Sequence, residues 1–201
     1  MIKKMDKVTL FFKQNKKTFT FLITIAIVGL ISGICFYFLL SESDKNSSLE
    51  IINNYINNIT NNNLSTHFLT IFLFNLILLI IMFISGISIV GFFLCTLMYF
   101  IKNFTIGLFI TLFTKTSTYF TVPLLYLFPA QFINIGLFTV LLYFSLSISL
   151  ELLFSLIKGK IFNFKNVGKK YSLIFLIIIG LLALTTIYET YILPKILLYF
   201  L

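Results

Sequence analysis

The residues able to do acid–base, nucleophilic or metal chemistry are few and far apart. His67 is the single histidine, Cys35 and Cys95 are the two cysteines, and 6 carboxylates serve the whole chain. Catalysis needs convergent groups, such as a nucleophile beside a base or two carboxylates with room for a substrate. The sequence carries no H-E-x-x-H, no C-x-x-C and no phosphate-cradling glycine loop. Glu151 lies in an apolar run seven residues ahead of Lys158, and a carboxylate inside a membrane is a candidate proton relay. It has no partner acid, and pairing with Lys158 two helical turns on, or snorkelling, accounts for it. His67 opens an apolar run, which is an interfacial position. The expectation is a protein that is not an enzyme and uses no cofactor and no metal.

Of the 201 residues, 59% are hydrophobic and 10% are charged, with a mean hydropathy of +1.06. Soluble domains are about 45–50% apolar and about 25% charged, and disorder needs low hydrophobicity. Both classes are excluded, leaving a multispanning membrane protein. All 15 basic residues are lysine, for a net charge of +9. Lys3, Lys4, Lys7, Lys13, Lys16 and Lys17 precede the first apolar run, and Lys158, Lys160, Lys165, Lys169 and Lys170 crowd one loop. Lysines beside spans set orientation and meet anionic lipid headgroups. Nucleic acid is not an expected partner, because no basic groove interleaved with aromatics is present. Cys35 follows the bulky Ile34, and the 22-residue run Phe19–Leu40 exceeds the roughly 7–15 residues of a signal-peptide core. That run is a retained span.

The predicted fold is all-α: a polytopic membrane helical bundle of about five transmembrane helices, N-terminus in and C-terminus out. A basic cytoplasmic head, 1–18, precedes a single membrane domain, 19–201. Spans are expected at about 19–40, 68–101, 103–126, 132–157 and 171–193, with a basic cytoplasmic loop at 158–170. Because that loop is inside, the apolar block 68–157 crosses an odd number of times, and three crossings fit its length. The first of these reads as a long helix bent near Gly86 and Gly91. Lys102 marks a cytoplasmic turn, and Lys115 falls inside the next passage, where it must snorkel or line a polar seam. The polar stretch 41–66 lies outside. Ser47 and Glu50 have capping-box spacing there, and Leu49, Ile52, Tyr55, Ile56 and Ile59 recur at helical intervals among asparagines. That pattern describes an amphipathic outer segment resting on lipid or on a protein partner.

Gly29 and Gly33 form a G-x-x-x-G pair on one face of the first span, where backbones can approach closely. Gly86, Gly91 and Gly107, with Asn75, Ser85, Ser88, Gln131 and Asn134, offer further close contacts and interhelical hydrogen bonds. They argue for a compact bundle or an interface without choosing between the two.

The run Ser85-Gly-Ile-Ser-Ile-Val-Gly91, the apolar stretch to Phe100-Ile-Lys102, and Gly107 beyond it resemble the core of the stage II sporulation protein M family. Leu127-Phe-Pro129-Ala-Gln131 is similar to a proline segment that precedes another span in that family. The lysine-rich head, Gly29 with Gly33, the acidic outer loop and the five-span plan also resemble it, so the likeness covers nearly the whole chain. The resemblance implies an integral membrane scaffold of the bacterial cell membrane. It also implies protein partners, cell-wall hydrolases similar to stage II sporulation proteins D and P, gathered for septal wall thinning during engulfment. Its packing or interface residues are Gly29, Gly33, Gly86, Gly91, Lys102, Gly107, Pro129 and Gln131. Ile52, Tyr55, Ile56 and Ile59 are expected to meet the partner outside. The alternative is a small transporter or exporter permease subunit, which requires ionisable or amide groups on facing helices near the midplane.

Overall fold

The computed structural model describes residues 15–50, 64–116, 127–158, 164–193 and 195. Among the described residues five helices are long and apolar enough to cross a membrane, and no strand occurs. They are α1 (Lys16–Leu39), α2 (Leu64–Gly86), α3 (Gly91–Thr116), α4 (Phe132–Ile157) and α5 (Phe164–Ile187). At 23 to 26 residues and about 1.5 Å per residue, each spans the roughly 30 Å of bilayer hydrocarbon. The chain is a multi-pass membrane protein with the all-α bundle that its sequence predicts.

α4 is the hub, packing against α1, α2, α3 and α5. Its buried positions Leu137, Phe138, Leu141, Leu142, Ser145, Ile148, Ser149 and Leu152 recur at helical spacing, so one broad face turns inward. Leu79 and Met82 of α2, Tyr99 of α3 and Leu182 of α5 close around it. The outward faces are lined by Phe21, Ile31, Leu73, Phe93, Phe154 and Leu176, a surface matched to lipid and not to water. Hydroxyls facing that environment bond back into their own helices, as Thr24 Oγ1 to Thr20 O at 2.9 Å and Ser147 Oγ to Tyr143 O at 2.8 Å show.

The span boundaries differ from the sequence expectation in the block 68–157. No long bent helix 68–101 forms, and Lys102 marks no turn: the chain reverses at residues 87–90, and α3 runs straight through Lys102. The reversal is short because Ile87 and Ser88 donate to the carbonyls of Ile84 and Ser85 at 3.1 and 2.9 Å, while Gly91 donates to Ser88 at 3.1 Å. A Cβ on Gly91 would collide with the Ser85 carbonyl, so no larger residue fits this corner. Lys115 accordingly sits in the last turn of α3, exposed, where its ammonium reaches the bundle edge without crossing the interior.

Beyond α1, residues 42–50 are helical. The cap is Ser41, whose Oγ accepts the Asp44 backbone N–H at 3.2 Å and donates to the Asp44 carboxylate at 2.6 Å. Ser47, expected to cap with Glu50, lies inside the helix and bonds to Ser43 O at 3.0 Å; Ser41 has the better position because it directly follows the end of α1. Ile52, Tyr55, Ile56 and Ile59 lie outside the described residues.

Candidate functional site within the bundle

Two constructions emerge from the residues singled out by sequence. The first is a glycine crossing between α1 and α3, the most extensively packed helix pair. A Cβ on Gly29 would stand 2.9 Å from Asn103 Cβ and 3.0 Å from the Phe100 carbonyl oxygen. On Gly33 it would collide with the Phe104 carbonyl, and on Gly107 with that of Leu30. The three glycines therefore allow two backbones into contact, the arrangement that small residues permit where dispersion is the main helix–helix attraction.

A second small-residue contact holds the α2–α3 corner to α4 and α5. Gly86 lies against Ser145 and the Tyr171 hydroxyl. Tyr171 Oη and Ser145 Oγ are 2.7 Å apart, and Tyr171 also donates to Phe83 O at 3.1 Å. Ser149 Oγ donates to Ser88 O at 2.8 Å and accepts the Phe92 backbone N–H at 3.1 Å. One serine on α4 thus satisfies both sides of the break between helices, which lipid could not do. Ser149→Ala is expected to lower bundle stability by about 1–3 kcal/mol, the cost of leaving such groups unpaired. Ser147→Ala, whose hydroxyl bonds only within its own helix, should be nearly silent in the same detergent-denaturation measurement.

The second construction is polar and lies in the interior. Lys102 of α3 is 6% exposed, and its ammonium donates to Asn75 Oδ1 of α2 at 2.6 Å while lying 5.6 Å from the centre of the Phe138 ring. Glu189, 3% exposed, sits in the π-helical turn Tyr188–Ile192 that prolongs α5, and its carboxylate accepts from Gln131 Nε2. Lys102 and Glu189 interact electrostatically without a direct salt bridge. Between them, Thr185 Oγ1 of α5 bonds to Asn134 Oδ1 of α4 at 2.7 Å. Gln131, Asn134 and Phe138 are successive turns along one face of α4, so the groups form a column about 10 Å long at 1.5 Å per residue. Four buried polar atoms in this interior have no protein hydrogen-bond partner: Gln131 Oε1, Asn134 Nδ2, Glu189 Oε2 and Asn103 Oδ1.

Sequence reasoning placed Lys102 at an interface and left Glu189 unremarked. The available signal was that Glu189 interrupts the apolar run Tyr171–Leu193 as Glu151 interrupts its own. Glu151 is not part of any polar cluster: it lies on the exposed face of α4, and Lys158 turns toward the Phe154 ring at 5.8 Å instead of toward it. Of the proline segment, Gln131 joins the column, while Pro129 lies half-buried in the turn Leu127–Gln131 that leads into α4. Phe128 before it is extended, as a residue preceding proline prefers.

The family model for stage II sporulation protein M matches residues 11–194. The chain belongs to this family. No curated protein and no solved structure matches it. The matched range takes in Gly29, Gly33, Gly86, Gly91, Lys102, Gly107, Pro129 and Gln131. In this family member Gly29, Gly33, Gly86 and Gly107 lie at helix contacts, Gly91 lies at the tight corner, and Lys102 and Gln131 line the interior column.

Proposed function

We propose that the chain is a non-enzymatic integral membrane scaffold of the bacterial cell membrane that gathers peptidoglycan-remodelling proteins on its outer side. The observation that carries this reading is the family match over residues 11–194. The resemblance supplies the partners, cell-wall hydrolases similar to stage II sporulation proteins D and P, and an engulfment-type role in spore formers. The packing supports it in kind, since backbone-to-backbone glycine contacts and a serine-locked corner make a rigid platform. The lysine asymmetry supports a cytoplasmic side for residues 1–17 and 158–170 and an outer side for 41–66. Acidic Glu42, Asp44 and Glu50, all exposed, then face the wall side.

The orientation and the partners are tested together. In a background lacking Cys35 and Cys95, Ser43→Cys should react with a membrane-impermeant thiol reagent in intact cells and Asn166→Cys should not. Affinity capture of the tagged full-length chain from solubilised membranes should recover a wall hydrolase. Labelling of Asn166→Cys, or recovery of an ATPase subunit in place of a hydrolase, would overturn the proposal.

One observation favours a second reading, a small transporter or exporter permease subunit. The column of Lys102, Asn75, Asn134, Gln131 and Glu189 puts ionisable and amide groups on facing helices, as such a protein requires. Solute flux in proteoliposomes that Glu189→Gln abolishes, with hydrolase capture absent, would establish this second reading.

A further inference from the structure

The interior column has more hydrogen-bonding capacity than its own residues use. Lys102 has three N–H donors, of which Asn75 Oδ1 takes one. Asn134, fully buried, spends its carbonyl on Thr185 and leaves its Nδ2 donors unpaired. Gln131, 4% exposed, and Glu189, 3% exposed, are bonded to each other through one atom each and leave the acceptors Gln131 Oε1 and Glu189 Oε2 unpaired. Unpaired acceptors on Gln131 and Glu189 and unpaired donors on Asn134 thus lie in one buried cluster. Leaving such groups dry inside a membrane costs on the order of several kcal/mol each.

A ligand that satisfies them must both donate and accept. Water does so, typically with about three hydrogen bonds per buried molecule. Gln131 and Glu189 also lie near the ends of their spans. Gln131 lies one residue ahead of α4, and Glu189 lies within one turn of Ile192, the last residue of the α5 span. We infer that Glu189, Gln131, Asn134 and Lys102 form a buried hydration and proton-binding site, filled from the end of the bundle where α4 begins and α5 ends. Hydronium in that water gives its proton to Glu189 Oε2; the carboxylate becomes a carboxylic acid, a water molecule remains, and the site gains one positive charge. Release returns the proton to the same water.

The charged group facing Glu189 is Lys102, from α3. Gln131 bonds to the Glu189 carboxylate, Asn75 of α2 bonds to Lys102, and Asn134 of α4 bonds to Thr185 of α5. The amides can donate to a carboxylate or accept from a carboxylic acid. This inference is independent of the scaffold reading, because it concerns the interior and not the outer segment.

Difference infrared spectroscopy of the full-length protein in lipid nanodiscs tests it. Acidification should produce a carboxylic-acid C=O band that shifts in D2O, is lost in Glu189→Gln and persists in Glu151→Gln. If Glu189→Gln fails to accumulate, Glu189→Asp should move the band. No such band on acidification, a band unchanged by the Glu189 substitution, or one that does not shift in D2O would overturn the inference and leave a dry structural cluster.

Discussion

Replacing Lys102 by methionine is expected to destabilise the bundle by about 3 kcal/mol, since it removes the cation facing Glu189 and leaves Asn75 Oδ1 buried and unpaired. Methionine preserves the length of the side chain over Phe138, so the loss isolates the charge and the hydrogen bond to Asn75. Glu189 would then keep Gln131 as its bonded neighbour with no cation facing it. The double variant Lys102→Met with Glu189→Gln should recover most of the loss, because an amide facing Gln131 carries no charge to compensate. Midpoints of detergent-induced unfolding for the two singles and the double give the coupling directly. Additive losses would show that the two charges are energetically independent.

The second large effect is expected at the α1–α3 crossing. Gly33→Leu places a side chain where the Phe104 backbone stands, and Gly107→Leu does the same at Leu30. A backbone carbonyl in a helix cannot step aside as a flexible side chain can, so each change should cost about 3 kcal/mol, the upper end of overpacking. Accumulation in membranes should fall accordingly. Gly180 has open space around its Cα, so Gly180→Ala should be neutral or stabilising by up to about 1 kcal/mol through helix propensity. Equal losses at Gly33 and Gly180 would place the cause in helix propensity and not in packing.

These contrasts also explain what the sequence made legible. Five crossings and an all-α bundle follow from long apolar runs, because lipid leaves the backbone no partner but its own helix. The glycines were visible as small residues at helical spacing. What they touch was not, since Gly29 and Gly33 could have faced lipid or another copy as readily as α3. The misplaced boundary at Lys102 has one physical source. A lysine in an apolar stretch reads as an interface marker unless its compensating groups are known, and Asn75, Phe138 and Glu189 come from three other helices. The column is a product of tertiary packing, and no local pattern announces it. The corner at 87–90 was hidden for a related reason: Ile87, Ile89 and Val90 are as apolar as the helices they join, and the serines that close the turn include Ser149 from another helix.

The central claim is that the chain works as a scaffold whose partner is recognised outside the membrane. The most direct measurement is quantitative capture of wall-remodelling protein from membranes by the full-length wild-type chain and by the triple variant Ile52→Ser, Ile56→Ser and Ile59→Ser. Three large apolar side chains, each contributing about 1.5–3 kcal/mol when fully buried, are enough to abolish binding if they meet the partner. The triple variant is expected to insert and accumulate like the wild type and to recover no hydrolase. Recovery of the hydrolase at the wild-type level by that variant would contradict it.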